Sequence, residues 1–517
     1  MASRKFYVTT AIDYVNDRPG LHHAYEKTGA DALARFHRQR GDDVFFLTGT
    51  DENAIRNDRA AKAAGIPTAE LVGRNAAEFQ RMCDLWQISY DRFIRTSVDE
   101  DHRRGVQEFV RRWIANDDIY LHTYEGLYCV GCEAFYEEAD LVDGQCPIHP
   151  TRQIERVREE NFFFRLSKYQ RKLKDLYRER PELCVPEIRR NEVLGFLQRG
   201  LKDISVSRKG QSWGIPFPDH PDHTVYVWFD ALINYVTGVG FGSDEALFRT
   251  WWPADVHVIG KDITRFHCIY WPAMLLAAGV EVPRQVYAHG FLEYAGQGRL
   301  SRSSGNMIDP IATAEEWGSD AARYLVLREA PFQKDSPISP ASFNERFNAD
   351  LANGLGNLVS RTTAMIERYF GGRVPDASPV GPSEGAVREA AEKALRDHDA
   401  AAEQLRFADA LTAAFSLVDA ANKHYTRTQP WQLAREPSRR GELGASLYAG
   451  CEALRLLAHL VWPYLPTTAE RISEQLSAPS PAQTAWDEVA RWGLLRPGTE
   501  VRPGPALFPR LETNKVA

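Results

Sequence analysis

The pattern of apolar and polar positions changes three times along this chain. Over about the first 115 residues, short apolar runs alternate with segments whose apolar residues recur every three or four positions. FYVTTAIDYV and DDVFFLTGT are rich in β-branched and aromatic residues, while GADALARFHRQRG and HRRGVQEFVRRWIANDD carry a helical period. Strand–helix–strand order predicts a parallel sheet with covering helices. From about 120 to 214 the strands shorten and turn residues and cysteines accumulate, which predicts an inserted domain. HTVYVWFDALINYV, ADVHVIGKD and RQVYAHGFL then restore the parallel-sheet signal. After about 343 the strands stop. NADLANGLGNLVSRTTAMIERYF, AVREAAEKALRDHDAAAEQL, FADALTAAFSLVDAANKHYTRT and ASLYAGCEALRLLAHLVWPYL all read as helices. GGRVPDASPVGPSEG reads as a loop, and the Pro-rich tail as partly extended.

The expected fold is therefore α/β. A Rossmann-type parallel sheet is interrupted by an insertion and followed by an all-helical domain, with boundaries at 1–117, 118–214, 215–295, 296–345 and 346–517. Ligands of such sheets bind at the carboxyl ends of the strands. Here those ends are 9–14, 48–52, 260–262 and 289–290.

A net charge of −7 gives no overall attraction for nucleic acid, so such a partner would need a local basic patch. No apolar run approaches the length of a membrane span, and the N-terminus lacks the apolar core of a secretory signal. Cytoplasmic localisation without a membrane or DNA partner is expected.

The cysteines sharpen the picture. C-V-G-C, thirteen residues, then C-P-I-H places Cys129, Cys132, Cys146 and His149 in two knuckles. Two residues between paired ligands let one turn present both to one ion, so a closed, structural Zn2+ site is expected. The other four cysteines read as buried thiols of a reducing compartment.

Other candidates lie at the strand ends. Asp51 in GTDEN can hold an amino group. Trp228, Leu232 and Tyr235 share one helical face, which by spacing alone reads as core. GKDITRFH offers Gly260, Lys261, Asp262 and His267, a setting that suits phosphate or ribose. RLSRSSGN offers Arg299, Arg302 and serines, and guanidinium groups pair with phosphate oxygens.

In this order the motifs carry a resemblance over nearly the whole length. TTAIDYVND, FFLTGTDE, GLYCVGCEAFY, CPIH, RNEVLGFL, WGIPFP, YVWFDALINYV, GNLVSR and PWQLA make the chain similar to the methionyl-tRNA synthetases, class I aminoacyl-tRNA synthetases. That resemblance implies ATP-dependent activation of methionine to methionyl-adenylate, release of pyrophosphate, and transfer to tRNA(Met), with Mg2+ accompanying ATP. It implies a methionine pocket of Ile12, Tyr14, Trp228, Leu232, Tyr235 and His267, with Asp51 receiving the ammonium group. Gly20, His22, His23, Gly260, Asp262, His289, Gly290, Arg299, Leu300 and Arg302 would bind ATP. Of these, His23, Arg299 and Arg302 would be catalytic. Asn357, Arg361 and Trp431 would read the anticodon, stacking and edge contacts being the usual means for unstacked bases. The insertion matches the family's connective peptide, and 296–345 its stem-contact region with the phosphate-binding loop. The family's C-terminal dimerising module has no counterpart here, so a monomer is expected.

The nucleotide motifs depart from the family pattern. Where His-Ile-Gly-His or His-Leu-Gly-His stands in the family, this chain has Gly20, Leu21, His22 and His23. Lys-Met-Ser-Lys-Ser becomes Arg299, Leu300, Ser301, Arg302 and Ser303. GTDEHG becomes GTDENA, with Asn53 and Ala54, and Asp13 replaces an apolar or aromatic residue. Three readings stay open at this level. One is a working methionine–tRNA ligase. Another is a paralogue that makes an aminoacyl-adenylate, of methionine or another amino acid, for a small-molecule acceptor, as in nitrogen–nitrogen bond formation with a separate cupin. The third is a non-catalytic tRNA- or methionine-binding protein.

Overall fold

A computed structural model describes residues 3–129, 134–136, 138–147, 153–295, 298–299, 308–376 and 381–510. Its centre is a seven-stranded parallel sheet. The strands lie in the order Asp13–Tyr14, Asp43–Asp51, Lys5–Thr10, Val256–Gly260, Gln285–His289 and Cys184–Val185, with Arg92–Arg95 also paired to Asp43–Asp51. Val256–Gly260 is buried at every position, because helices cover both faces. Such a strand reads as a mostly apolar run, broken here only by the buried His257. The register sets Tyr14 opposite Asp51 and Gly260 opposite His289, so the predicted ligand-binding ends meet along one edge.

The first crossover is the helix Leu21–Gln39, entered through the extended Gly20. Its residues are good helix formers, and it buries Leu33, Ala34 and Phe36 in the core.

Residues 119–205 contribute a four-stranded antiparallel sheet, in which Ile119–Cys129 pairs with Ile154–Phe164 along its full length. Two expectations need correction here. Cys184–Val185, inside the span read as the insertion, pairs in parallel with Val286 and Tyr287 and edges the central sheet. Two apolar residues are too few to register as a strand. His220–Val225, read as a parallel strand, pairs antiparallel with Ser207–Lys209 and Pro216–Phe217 in a separate three-stranded sheet. It does run directly into the helix Val227–Thr237. An apolar run gives no information about the direction of its partner.

The remainder is helical: a π-helical turn Phe347–Gly356 continuing into Asn357–Phe370, then Pro382–Ala402, Phe407–Thr428, Arg440–Val461 and Pro466–Gln475. One apolar core runs from the first helix into this half. The fully buried Arg323 donates to the carbonyls of Trp86, Pro463 and Tyr464, tying the halves together. The tail returns as an extended segment, with Val501 donating to the Gly372 carbonyl. Among the described residues no helix is long and apolar enough to cross a membrane.

Candidate active site

The helix Val227–Thr237 lays Trp228, Leu232 and Tyr235 against the carboxyl end of the sheet. Leu232 and Tyr235 are buried, and Trp228, Ile12 and Tyr14 are partly buried against the same apolar cluster. Tyr14 meets Trp228 edge-on at 6.2 Å, and Arg56 lies over the Tyr14 ring, 4.2 Å from its centroid. Phe266 stacks on Trp228 at 3.7 Å. His267 occupies a π-helical segment, Phe266–Tyr270, a widened turn of the kind often found at functional sites. Its Nδ1 is 3.1 Å from the Ile263 carbonyl, which can only accept, so the ring proton sits there. Nε2 then accepts from the Tyr235 hydroxyl at 2.8 Å. Burial pushes the imidazole down to about 4, which keeps this acceptor neutral near pH 7.

Asp51 closes the polar end of this group. Its neighbour Glu52 is fully committed to structure, since Thr50, Arg95 and Ser97 all donate to its carboxylate. Asn57 donates to the carbonyls of Asp51 and Glu52, and Trp213 to that of Glu52, which fixes the backbone turn. Burial raises the Tyr235 phenol, and Asp51 is one of the nearby carboxylates that add to the effect. A buried carboxylate beside an apolar, aromatic cage suits an ammonium group attached to an apolar side chain.

A second polar group anchors the helix from below. Asp230 is wholly buried, with His102 Nε2 on one oxygen and Asn53 Nδ2 on the other, both at 2.7 Å. His102 Nδ1 meets the Thr237 hydroxyl at 2.8 Å. Asn53, one of the departures from the family pattern, thus ties the end of the Asp51 strand to the helix that carries Trp228 and Tyr235.

The Gly20–His23 turn adjoins the same strand ends. Gly20 N–H donates to His23 Nδ1 at 2.9 Å, so the ring's remaining donor is Nε2. The His22 and His23 rings lie 3.8 Å apart, inclined by 42°. At the next strand end, His289 Nδ1 faces the Gly290 carbonyl at 2.8 Å, and its Nε2 lies 3.0 Å from Glu26. The carbonyl takes the Nδ1 proton, so Glu26 and His289 must share a further proton between them. A Cβ at Gly290 would sit 2.2 Å from the Lys334 backbone, which only glycine permits. Lys261, beyond Gly260, is paired with Asp335 at 2.5 Å, while Asp262 is exposed.

Some candidates fall elsewhere. Arg299 belongs to a two-residue strand paired with Glu293; its side chain, Leu300 and Arg302 lie outside the described residues. So do Cys132 and His149. Cys129 and Cys146 are both buried, and no complete metal-binding cluster occurs among the described residues. In the helical half, Arg361 and Trp431 come together, with the guanidinium 5.5 Å from the centre of an indole that is 38% exposed. Asn357 is exposed one turn earlier on the same helix.

Sequence reasoning missed Phe266, Arg56, Glu26, Lys27 and His102. The adjacent charged pair Glu26 and Lys27, both buried in this helix, was the available signal.

Residues 6–155 and 149–363 match the family model described as tRNA synthetases class I (M), and residues 374–517 match the anticodon binding domain of methionyl tRNA ligase. A methionine–tRNA ligase of Caldanaerobacter subterraneus subsp. tengcongensis is 43% identical, over 99% of this chain and 80% of its own length. That of Mycobacterium bovis is 44% identical over 98% of each chain. Mycobacterium tuberculosis methionyl-tRNA synthetase in complex with methionyl-adenylate superposes with a TM-score of 0.94 at 43% identity, covering 98% of this chain and 100% of that one. The free-state crystal structure of the same synthetase gives 0.87 at 41% identity, with 99% of each chain covered. The chain belongs to the methionyl-tRNA synthetases of class I.

Proposed function

We propose that this chain is a methionine–tRNA ligase whose nucleotide motifs have been rebuilt without loss of the reaction. The observation that carries the reading is the meeting of two sites at one sheet edge. Asp51 and the Trp228–Tyr235–His267 group stand beside the turn that bears His23. In this reading Asp51 takes the methionine ammonium. Ile12, Tyr14, Trp228, Leu232 and Tyr235 enclose the thioether, which gains from aromatic contact. A methionine carboxylate oxygen attacks the α-phosphorus of ATP, and the bond to pyrophosphate breaks. His23 Nε2–H and the guanidinium groups of Arg299 and Arg302 stabilise the developing phosphate charge. Mg2+ would enter with ATP and neutralise phosphate oxygens. A ribose hydroxyl of the tRNA 3′ end then attacks the adenylate carbonyl and AMP leaves. Gly20, His22, Gly260, Asp262, His289, Gly290 and Leu300 border the nucleotide.

The domain limits 1–117, 118–214, 215–295, 296–345 and 346–517 belong to the same reading, less the edge strand noted above. Asn357, Arg361 and Trp431 would receive the CAU bases, the exposed indole under Arg361 being the support for this. Cys129, Cys132, Cys146 and His149 would hold a structural Zn2+, supported by the two buried thiols; metal analysis of the purified protein should find one zinc per chain. A cytoplasmic monomer completes the proposal.

The test is ATP–pyrophosphate exchange across a panel of amino acids, followed by charging of a CAU-anticodon tRNA. Methionine-dependent exchange with charging is expected. Exchange without charging would replace the ligase by an adenylate-forming paralogue, and tRNA binding without exchange would leave only a binder.

A further inference from the structure

Two oppositely charged side chains lie inside the protein next to the His23 turn, and the reaction as described uses neither. Lys27 has no exposed side-chain surface, and its ammonium is 2.6 Å from Asp13 Oδ2. The other oxygen of Asp13 faces His23 Nε2 at 3.8 Å. Since Gly20 N–H donates to Nδ1, the ring's remaining proton is carried on Nε2, the nitrogen that faces Asp13.

The remaining charges nearby do not offset Asp13. Glu26 and His289 share a proton across 3.0 Å, so that pair is neutral whichever atom carries it. Glu26 also accepts from the Ala11 backbone at 3.0 Å, which fixes its place. Among the described residues Lys27 is thus the lysine in contact with Asp13, at 2.6 Å, with the His23 ring farther off at 3.8 Å.

Being covered on every side, Lys27 reaches no ligand, and its effect is confined to the field. An uncompensated carboxylate this close to His23 would repel a polyphosphate bound at that ring, in a setting where little water screens the charge. With the ammonium beside it, the carboxylate can face the donor edge of the imidazole without presenting net negative charge to the nucleotide.

We propose that Lys27 is a charge-balancing positioning residue of the nucleotide site. It neutralises Asp13, so that Asp13 can steer His23 without opposing the triphosphate. The proposal rests on the reading of the turn as the ATP site.

Full-length wild type, Lys27→Met, Asp13→Asn and the double variant should be compared by ATP–pyrophosphate exchange, by ATP titration calorimetry and by thermal melting. Lys27→Met should raise the KM and Kd for ATP by about ten- to a hundredfold, with the KM for methionine within about twofold. The double variant should recover most of this loss, because both charges are gone. An unchanged ATP constant, equal rises for ATP and methionine, or a double variant no better than the single one would overturn the proposal. If Lys27→Met does not fold, the double variant decides: a Kd for ATP more than about tenfold above wild type would overturn it. A wild type that binds ATP normally but shows no exchange refutes the ligase reading alone. A wild type that binds no ATP refutes both.

Discussion

Asp31 to asparagine is the substitution whose cost the structure specifies most fully. Asp31 lies on the helix that begins at the His23 turn, and its carboxylate is wholly buried. It receives Arg323 at 2.6 Å, Arg35 at 2.8 Å, and the Ser89 amide and hydroxyl at 2.7 and 2.5 Å. Burial by itself would raise this carboxyl. The two guanidiniums and Ser89 outweigh it and bring the group from 3.8 down to about 2. That displacement corresponds to about 2.5 kcal/mol of stabilisation at neutral pH. Asparagine keeps the shape and removes the charge, leaving Arg323 buried without its ion pair, so the full cost should reach about 3–5 kcal/mol. A carboxyl lowered on folding stabilises above its unfolded value and loses that contribution as pH falls toward the folded one. The gap between wild type and variant should therefore be flat from pH 8 to 5 and shrink below about 4. Chemical denaturation across that range is the assay. A gap under about 1 kcal/mol at pH 7, or one that varies between pH 8 and 5, would refute the reasoning.

Tyr235→Phe leaves His267 Nε2 buried without its donor, so the KM for methionine should rise about tenfold while the KM for ATP holds. Because burial depresses His267 to about 4, the KM for methionine should show no inflection attributable to this ring between pH 6 and 9; an inflection near 6.5 that His267→Gln abolishes would contradict this. Gly450→Ala puts a methyl 1.7 Å from the Tyr425 hydroxyl, which bonds Thr362 and whose ring lies under Arg361. It should cost about 1–3 kcal/mol by denaturation and raise the KM for tRNA. His22→Gly should lower the apparent KM for ATP if the His22 imidazole obstructs the adenine, and exchange kinetics would read it.

How much of this was legible beforehand depended on range. The helices after 343 were readable because each carries its own period over many residues, and the buried strand Val256–Gly260 because it is a short, mostly apolar run. The strand Cys184–Val185 was not, being two residues placed by a neighbour about a hundred positions away. Within the site, Tyr235 and His267 were recognised through motifs. The proton assignment of His267 depends on the Ile263 carbonyl, which no motif records. Lys27 escaped because its meaning lies in Asp13, across the turn from it.

The departures from the family pattern bear on whether catalysis survives. Neutral drift at an idle site has no reason to supply partners, and a buried polar group without one is costly. Two of the polar departures, Asn53 and Asp13, nevertheless have their counterparts in place. Asn53 donates to Asp230 and to the Thr96 carbonyl. Asp13 meets Lys27. His23, the one signature histidine in its expected place, keeps its tautomer through Gly20 N–H. The Lys27–Asp13 pair stabilises the buried carboxylate in any reading, and in the ligase reading it also spares a bound triphosphate an uncompensated negative charge beside that imidazole. Asn53 and Asp13 are therefore accommodated substitutions, which fits the proposal of a rebuilt nucleotide site beside the proposed methionine pocket.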